Sequence, residues 1–238
     1  MSLTTETEWI LVACGLIAHA DGVLDGNEVE RLMAMVDDRI PPDDYAEWLD
    51  IVGDKQKLEA RYAALANPPV AQHRAILEEA WAMAMADGER ASSELVVLAR
   101  IAERFGVEPM QLEFWRSAWT QAEQEFSHRV AELAVLSLGG GEAVFEDDHS
   151  AYLDLMERLP TSNEERQRLG ALATSSPNPP LDTDALARAL AGMPRARRMQ
   201  AFSFVAPLVR HSVDSDNARA RFEQIGRAAG LLDVADLV

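Results

Sequence analysis

Apolar residues recur along this chain at helical spacing, and no run of them alternates with polar residues as a strand would. Trp9–Ala20 is apolar on nearly every side, which predicts a central helix surrounded by others. Thr5-x-x-Glu8 stands ahead of it in the form of a capping box. Asp25-x-x-Glu28 opens a second helix in the same way, with Val29, Leu32, Met33, Val36 and Ile40 on one stripe. Pro41-Pro42 stops that helix, because proline lacks the N–H a helix interior needs. Two short amphipathic pieces follow, Tyr45–Val52 and Lys57–Leu65. Asn67-Pro68-Pro69 then makes a loop and a restart, opening a long helix through Ile76, Leu77, Trp81 and Met85. Ser92 or Ser93 is placed to cap the next helix, which carries Leu95, Leu98, Ile101, Ala102 and Phe105 and closes at Gly106. Glu108-Pro109 begins another, with Leu112, Trp115 and Trp119. Further on, Gly139-Gly140-Gly141 breaks the chain, Ser162-x-x-Glu165 caps a helix, and Ser175–Pro180 reads as a linker. Helices over Pro194–His211 and Asp216–Gly230 complete the pattern. The fold class expected is all-α.

The pattern also repeats. Ala64-Leu65-Ala66 with Pro69 and Ala71 matches Ala189-Leu190-Ala191 with Pro194 and Ala196, 125 residues on. A shorter unit recurs within the first half: Ala20-Asp21-Gly22 and Ala86-Asp87-Gly88 are each followed by a glutamate seven residues after the aspartate, Glu28 and Glu94. Leu32 and Met35 then match Leu98 and Ile101. In the second half Tyr152 with Leu155 and Phe222 with Ile225 keep the apolar rhythm without the Asp-Gly turn. The expected organisation is two tandem helical bundles, residues 1–120 and 121–238, each a pair of helix–turn–helix units, the second degenerate.

Charge narrows the partners. The 238 residues carry a formal net charge of −18. Residues 1–120 hold 22 acids and 10 bases, hence −12, and residues 121–238 hold 18 and 12, hence −6. A polyanion gains little from such a chain, so nucleic acid is not an expected partner. Cations and basic proteins, or self-association, remain open. The single cysteine, Cys14, cannot form an internal disulfide and lies in an apolar run, which points to a buried thiol and a reducing, cytoplasmic setting. That run is too short to span a bilayer and lacks the flanks of a signal peptide, and no other stretch is longer, so no membrane insertion is expected.

Ala-Asp-Gly-x-x-Asp/Ser-x-x-Glu between two helices, met twice, resembles the TerB-like family of tellurite-resistance domains, related to the N-terminal domain of the DjlA-type membrane co-chaperones. Asp21, Gly22, Asp25 and Glu28 match the first motif; Asp87, Gly88 and Glu94 match the second, with Ala91 departing from it. The resemblance covers roughly residues 5–115 and implies a compact helical bundle, a link to tellurite and chemical stress, and no enzymatic reaction. It also implies a divalent-metal site. Asp21, Asp25, Glu28, Asp87 and Glu94 are hard oxygen donors suited to Ca²⁺, Mg²⁺ or Mn²⁺. An EF-hand is excluded, since counting from Asp21 puts Val23 and Leu32 where ligands are required.

Other readings compete. The same acids serve helix ends: Gly22 can close a helix, Asp25 can cap the next, and Glu28 can reach back to complete the box. On that reading the protein is a structural interaction adaptor without metal. Glu125-x-x-His128 and Glu146-x-x-His149 have the spacing of carboxylate-bridged metalloenzymes, a more remote alternative. Arg195, Arg197 and Arg198 open a helix whose dipole they oppose, so they either face a partner or pair with acids of the same chain.

Overall fold

The computed structural model describes residues 3–22, 24, 26–85, 92–141, 143–174 and 180–238. Among these, twelve α-helices and three short 3₁₀ turns make up the regular structure, with no strand. They group into two compact units, Met1–Gln121 and Ala122–Val238, each with its own hydrophobic core.

The first unit is built around α1 (Thr5–Ala18), buried along Trp9–Ala18. Around it pack α2 (Gly26–Arg39), α3 (Tyr45–Val52), α4 (Lys55–Ala64), α5 (Val70–Met83) and α6 (Ser92–Arg104), with the first turns of α7 (Pro109–Gly139). A helix without a polar face is stable in water only when neighbours cover it all round. Gly15 lets α4 approach closely: a Cβ there would lie 2.8 Å from Leu58 Cδ2. Trp115 and Trp119 pack into this same core.

Three sequence expectations shift here. Thr4, not Thr5, caps α1: its Oγ1 accepts from Thr7 N at 3.1 Å and lies 2.8 Å from the Thr7 hydroxyl, while Glu8 pairs instead with Arg61 at 2.8 Å. The stripe of α2 is rotated. Leu32, Met35, Val36 and Ile40 are buried, but Val29 and Met33 are exposed, because α2 packs chiefly on α1 and α3 and these cover a narrow arc. Ser92 and Ser93 lie inside the first turn of α6 rather than ahead of it, and Ala91, which precedes them, is outside the described residues.

The second unit takes the rest of α7, buried at Phe126 and along most of Val130–Leu138, and adds α8 (His149–Glu157), α9 (Asn163–Gly170), α10 (Thr183–Ala191), α11 (Arg195–His211) and α12 (Ser215–Ala228). Ser162 caps α9 by accepting from Glu165 N, as its spacing predicts. Gly140 and Gly141, with φ of 65° and 98°, end α7 in the left-handed region that L side chains avoid. The linker expected at Ser175–Pro180 lies almost wholly outside the described residues.

Some details recur between the units. Pro69 precedes α5 at φ −55°, ψ 143°, and Pro194 precedes α11 at φ −54°, ψ 145°. Gly106 after α6 and Gly230 after α12 close with the same hydrogen bonds. Gly106 N–H donates to Glu103 O and Val107 N–H to Ala102 O; Gly230 N–H donates to Arg227 O and Leu231 N–H to Gly226 O. The apolar pairs Leu32 and Met35, Leu98 and Ile101, Tyr152 and Leu155, and Phe222 and Ile225 are all buried.

Basic side chains brace helix ends throughout. Lys55 Nζ donates to His19 O at 2.6 Å behind α1, and Arg104 donates to Tyr62 O and Leu65 O at the end of α4. Arg221 donates to Ser137 O and Leu138 O at the end of α7, at 2.7 and 2.6 Å, and Arg198 donates to Ala229 O behind α12 at 2.5 Å. Each places a cation on carbonyls left without intrahelical donors, at the negative end of the helix dipole.

Candidate metal centre

The first acidic motif begins where α1 ends. α1 stops at Ala18; His19 N–H donates back to Gly15 O and Ala20 N–H to Ile17 O. The His19 ring is fixed by Val52 O, 2.9 Å from its Nε2; since a carbonyl can only accept, that nitrogen carries the proton. Asp21 follows on the exposed turn, and Gly22 turns the chain at φ 87°.

Glu28 is the third residue of α2 and Glu94 the third residue of α6. Both are carboxylates taken out of water, with 6% and 5% of their surface exposed. Glutamates are seldom buried to this degree unless something offsets the lost hydration. The start of a helix supplies part of that offset through its free N–H groups and positive dipole end. Neither carboxylate, nor Asp21, is without an interaction partner. Asp25 and Asp87, the other two expected ligands, fall outside the described residues.

Among the described residues, no three of histidine, cysteine, aspartate and glutamate gather closely enough to hold an ion. Asp21, Glu28 and Glu94 therefore do not make a site by themselves. The two Glu-x-x-His pairs do not converge either. Glu125 lies near Arg129 at 3.7 Å, and His128 turns to Glu132 at 3.4 Å, both along α7. Glu146 is exposed on a 3₁₀ turn, and His149 begins α8 half-buried. The basic patch is consumed internally: Arg195 pairs with Asp233 and Arg197 with Glu123, each at 2.5 Å, and Arg197 also stacks over the Phe126 ring.

One buried acid went unnoticed in the sequence. Asp148, 6% exposed ahead of α8, accepts from the Ser212 hydroxyl at 2.7 Å and from Val213 N–H at 3.2 Å, tying the start of α8 to the turn between α11 and α12. Its only sequence signal was an aspartate just ahead of an apolar helix, among three acids in a row.

Residues 7–117 match the family model described as tellurite resistance protein TerB. The first unit is a TerB-like domain. The match spans α1 to the early turns of α7 and contains both Asp-Gly motifs. No curated protein and no solved structure matches the chain. Among the described residues, no helix is long and apolar enough to cross a membrane.

Proposed function

We propose that the protein is a non-enzymatic TerB-type module that binds a divalent cation through carboxylates at its helix starts and passes that state to a protein partner, in a tellurite- or chemical-stress-resistance setting in the cytoplasm. One observation carries the reading: two glutamates, Glu28 and Glu94, are buried at the same third position of the two helices that follow the Asp-Gly motifs of the sequence. With Asp21, Asp25 and Asp87 they provide only oxygen donors, the chemistry of Ca²⁺, Mg²⁺ or Mn²⁺.

Calorimetric titration with Ca²⁺, Mg²⁺, Mn²⁺ and Zn²⁺ tests it. Heat is expected from at least one of the first three, lost in Asp21→Ala/Asp87→Ala and in Glu28→Gln/Glu94→Gln. Silence from every ion ends the metal reading. What then stands is the structural adaptor, which the third-position placement also favours, because a capping box asks for glutamate there. Glutamine can make the same reach-back hydrogen bond, so Glu28→Gln separates charge from capping.

We infer as well that the second unit is a diverged copy of the first. The matching Pro69 and Pro194 entries, the matching Gly106 and Gly230 closures and the four buried apolar pairs support it.

A further inference from the structure

The face that α2 turns to water is apolar and anionic together. Val29 and Met33, one turn apart, are 42% and 38% exposed, and Ala34 is exposed beside them. Glu30, Asp37 and Asp38 share this face. At 100° per residue all six fall on one half of the helix, while the buried Leu32, Met35 and Val36 take the other. Among the described residues no ion pair neutralises Glu30, Asp37 or Asp38, and Arg39 at the end of α2 is held by Glu79 at 2.9 Å. Tyr45 donates its hydroxyl to Asp37, which leaves the charge in place. The surrounding chain strengthens the field: residues 21–54 hold 11 acids and 2 bases, a net of −9, half the charge of the whole protein.

Single exposed apolar residues are ordinary, and Met110 and Phe114 on α7 are more exposed still. Those two have no charge pattern that selects an occupant. The α2 face has one. A neutral or acidic partner covering Val29 and Met33 would desolvate the carboxylates without compensation. A basic amphipathic helix covers both features at once, its apolar stripe on Val29, Met33 and Ala34 and its cations on Glu30, Asp37 and Asp38. We propose that the exposed face of α2 is a docking surface for a basic amphipathic helix of a partner protein. This stands apart from cation binding, because none of these six residues is among the expected ligands.

The probe is a fluorophore-labelled synthetic helix of leucine and lysine, with a control peptide of equal charge whose leucines are serines, followed by anisotropy. The native protein is expected to prefer the leucine peptide by about tenfold, from further burial of two partly exposed apolar side chains. Val29→Ser/Met33→Ser abolishes the preference while keeping the weaker, salt-sensitive binding of both peptides. Glu30→Gln/Asp37→Asn/Asp38→Asn weakens both peptides and flattens the salt dependence. All six positions are at the surface, and circular dichroism confirms that the variants fold. An undiminished preference in Val29→Ser/Met33→Ser overturns the proposal. So does a native dimer in sedimentation velocity that this variant dissolves, since a second copy then covers the face.

Discussion

The two units handle buried acids differently. In the second, Asp148 is fully accounted for by its own chain: a hydroxyl from Ser212 and an N–H from Val213 occupy its carboxylate. In the first, Glu28 and Glu94 are equally buried, each as the third residue of its helix, in a half that carries −12 against −6. A carboxylate answered by neutral donors is a structural clasp, and the second unit needs nothing further. Glu28 and Glu94 instead have the free N–H groups and positive dipole of a helix start beside them, and neither is without an interaction partner.

The largest effect expected from breaking this contrast is at Asp148. Asp148→Ala leaves the Ser212 hydroxyl and Val213 N–H without their acceptor and is expected to cost about 2–3 kcal/mol, read by urea unfolding of the second unit. Glu28→Gln in the first unit is expected to cost under ~1 kcal/mol while removing cation heat. Comparable losses from the two would erase the distinction.

Next in size is Gly226→Ala. Its Cβ would run into the Val234 side chain, a contact that cannot open without moving the C-terminal turn, so ~1–3 kcal/mol of overpacking is expected, less a gain in helix propensity. Gly15→Ala in the first unit meets the end of the Leu58 side chain at 2.8 Å, and thermal melts should place it below Gly226→Ala.

The closing glycines come third. Gly106→Ala, at φ 73° with open space around a Cβ, should cost about 1 kcal/mol, and Gly230→Ala, at φ 79°, somewhat more, because its Cβ would lie 3.2 Å from Arg198 Nη1 and disturb the brace on Ala229 O; thermal melts compare the two.

The smallest effect is at Cys14. Burial, with a lesser push from Glu79, raises its thiol from 9.0 to about 12. The folded state thus binds the proton more tightly than the unfolded one. That contribution is complete below pH 9.0 and fades as pH rises toward about 12. A maleimide reagent at neutral pH should label Cys14 only after unfolding.

How far the sequence reached depends on the range of the forces involved. Helix starts and stops at Pro69, Gly106, Ser162 and Pro194 rest on local backbone chemistry, and they appear where the spacing put them. The burial of α1 was legible because no arrangement in water tolerates a helix without a polar side. The rotation of the α2 stripe was not, since it depends on which two helices happen to cover it; periodicity treats Val29 and Leu32 alike. At the candidate site the motif spacing marked Glu28 and Glu94, and only packing could show that both are buried. The clasp of Asp148 by Ser212 joins residues 64 apart, a distance that no local pattern spans.

The bracing of helix ends by Lys55, Arg104, Arg198 and Arg221 bears on halotolerance. Those cations press against carbonyl groups in part-buried places, where dissolved ions screen little. The surplus of carboxylates, by contrast, repels itself across open water, where screening is strong. Added salt therefore quiets the repulsion and spares the braces, and a chain of this make-up becomes more cohesive, not less, as its surroundings grow saltier.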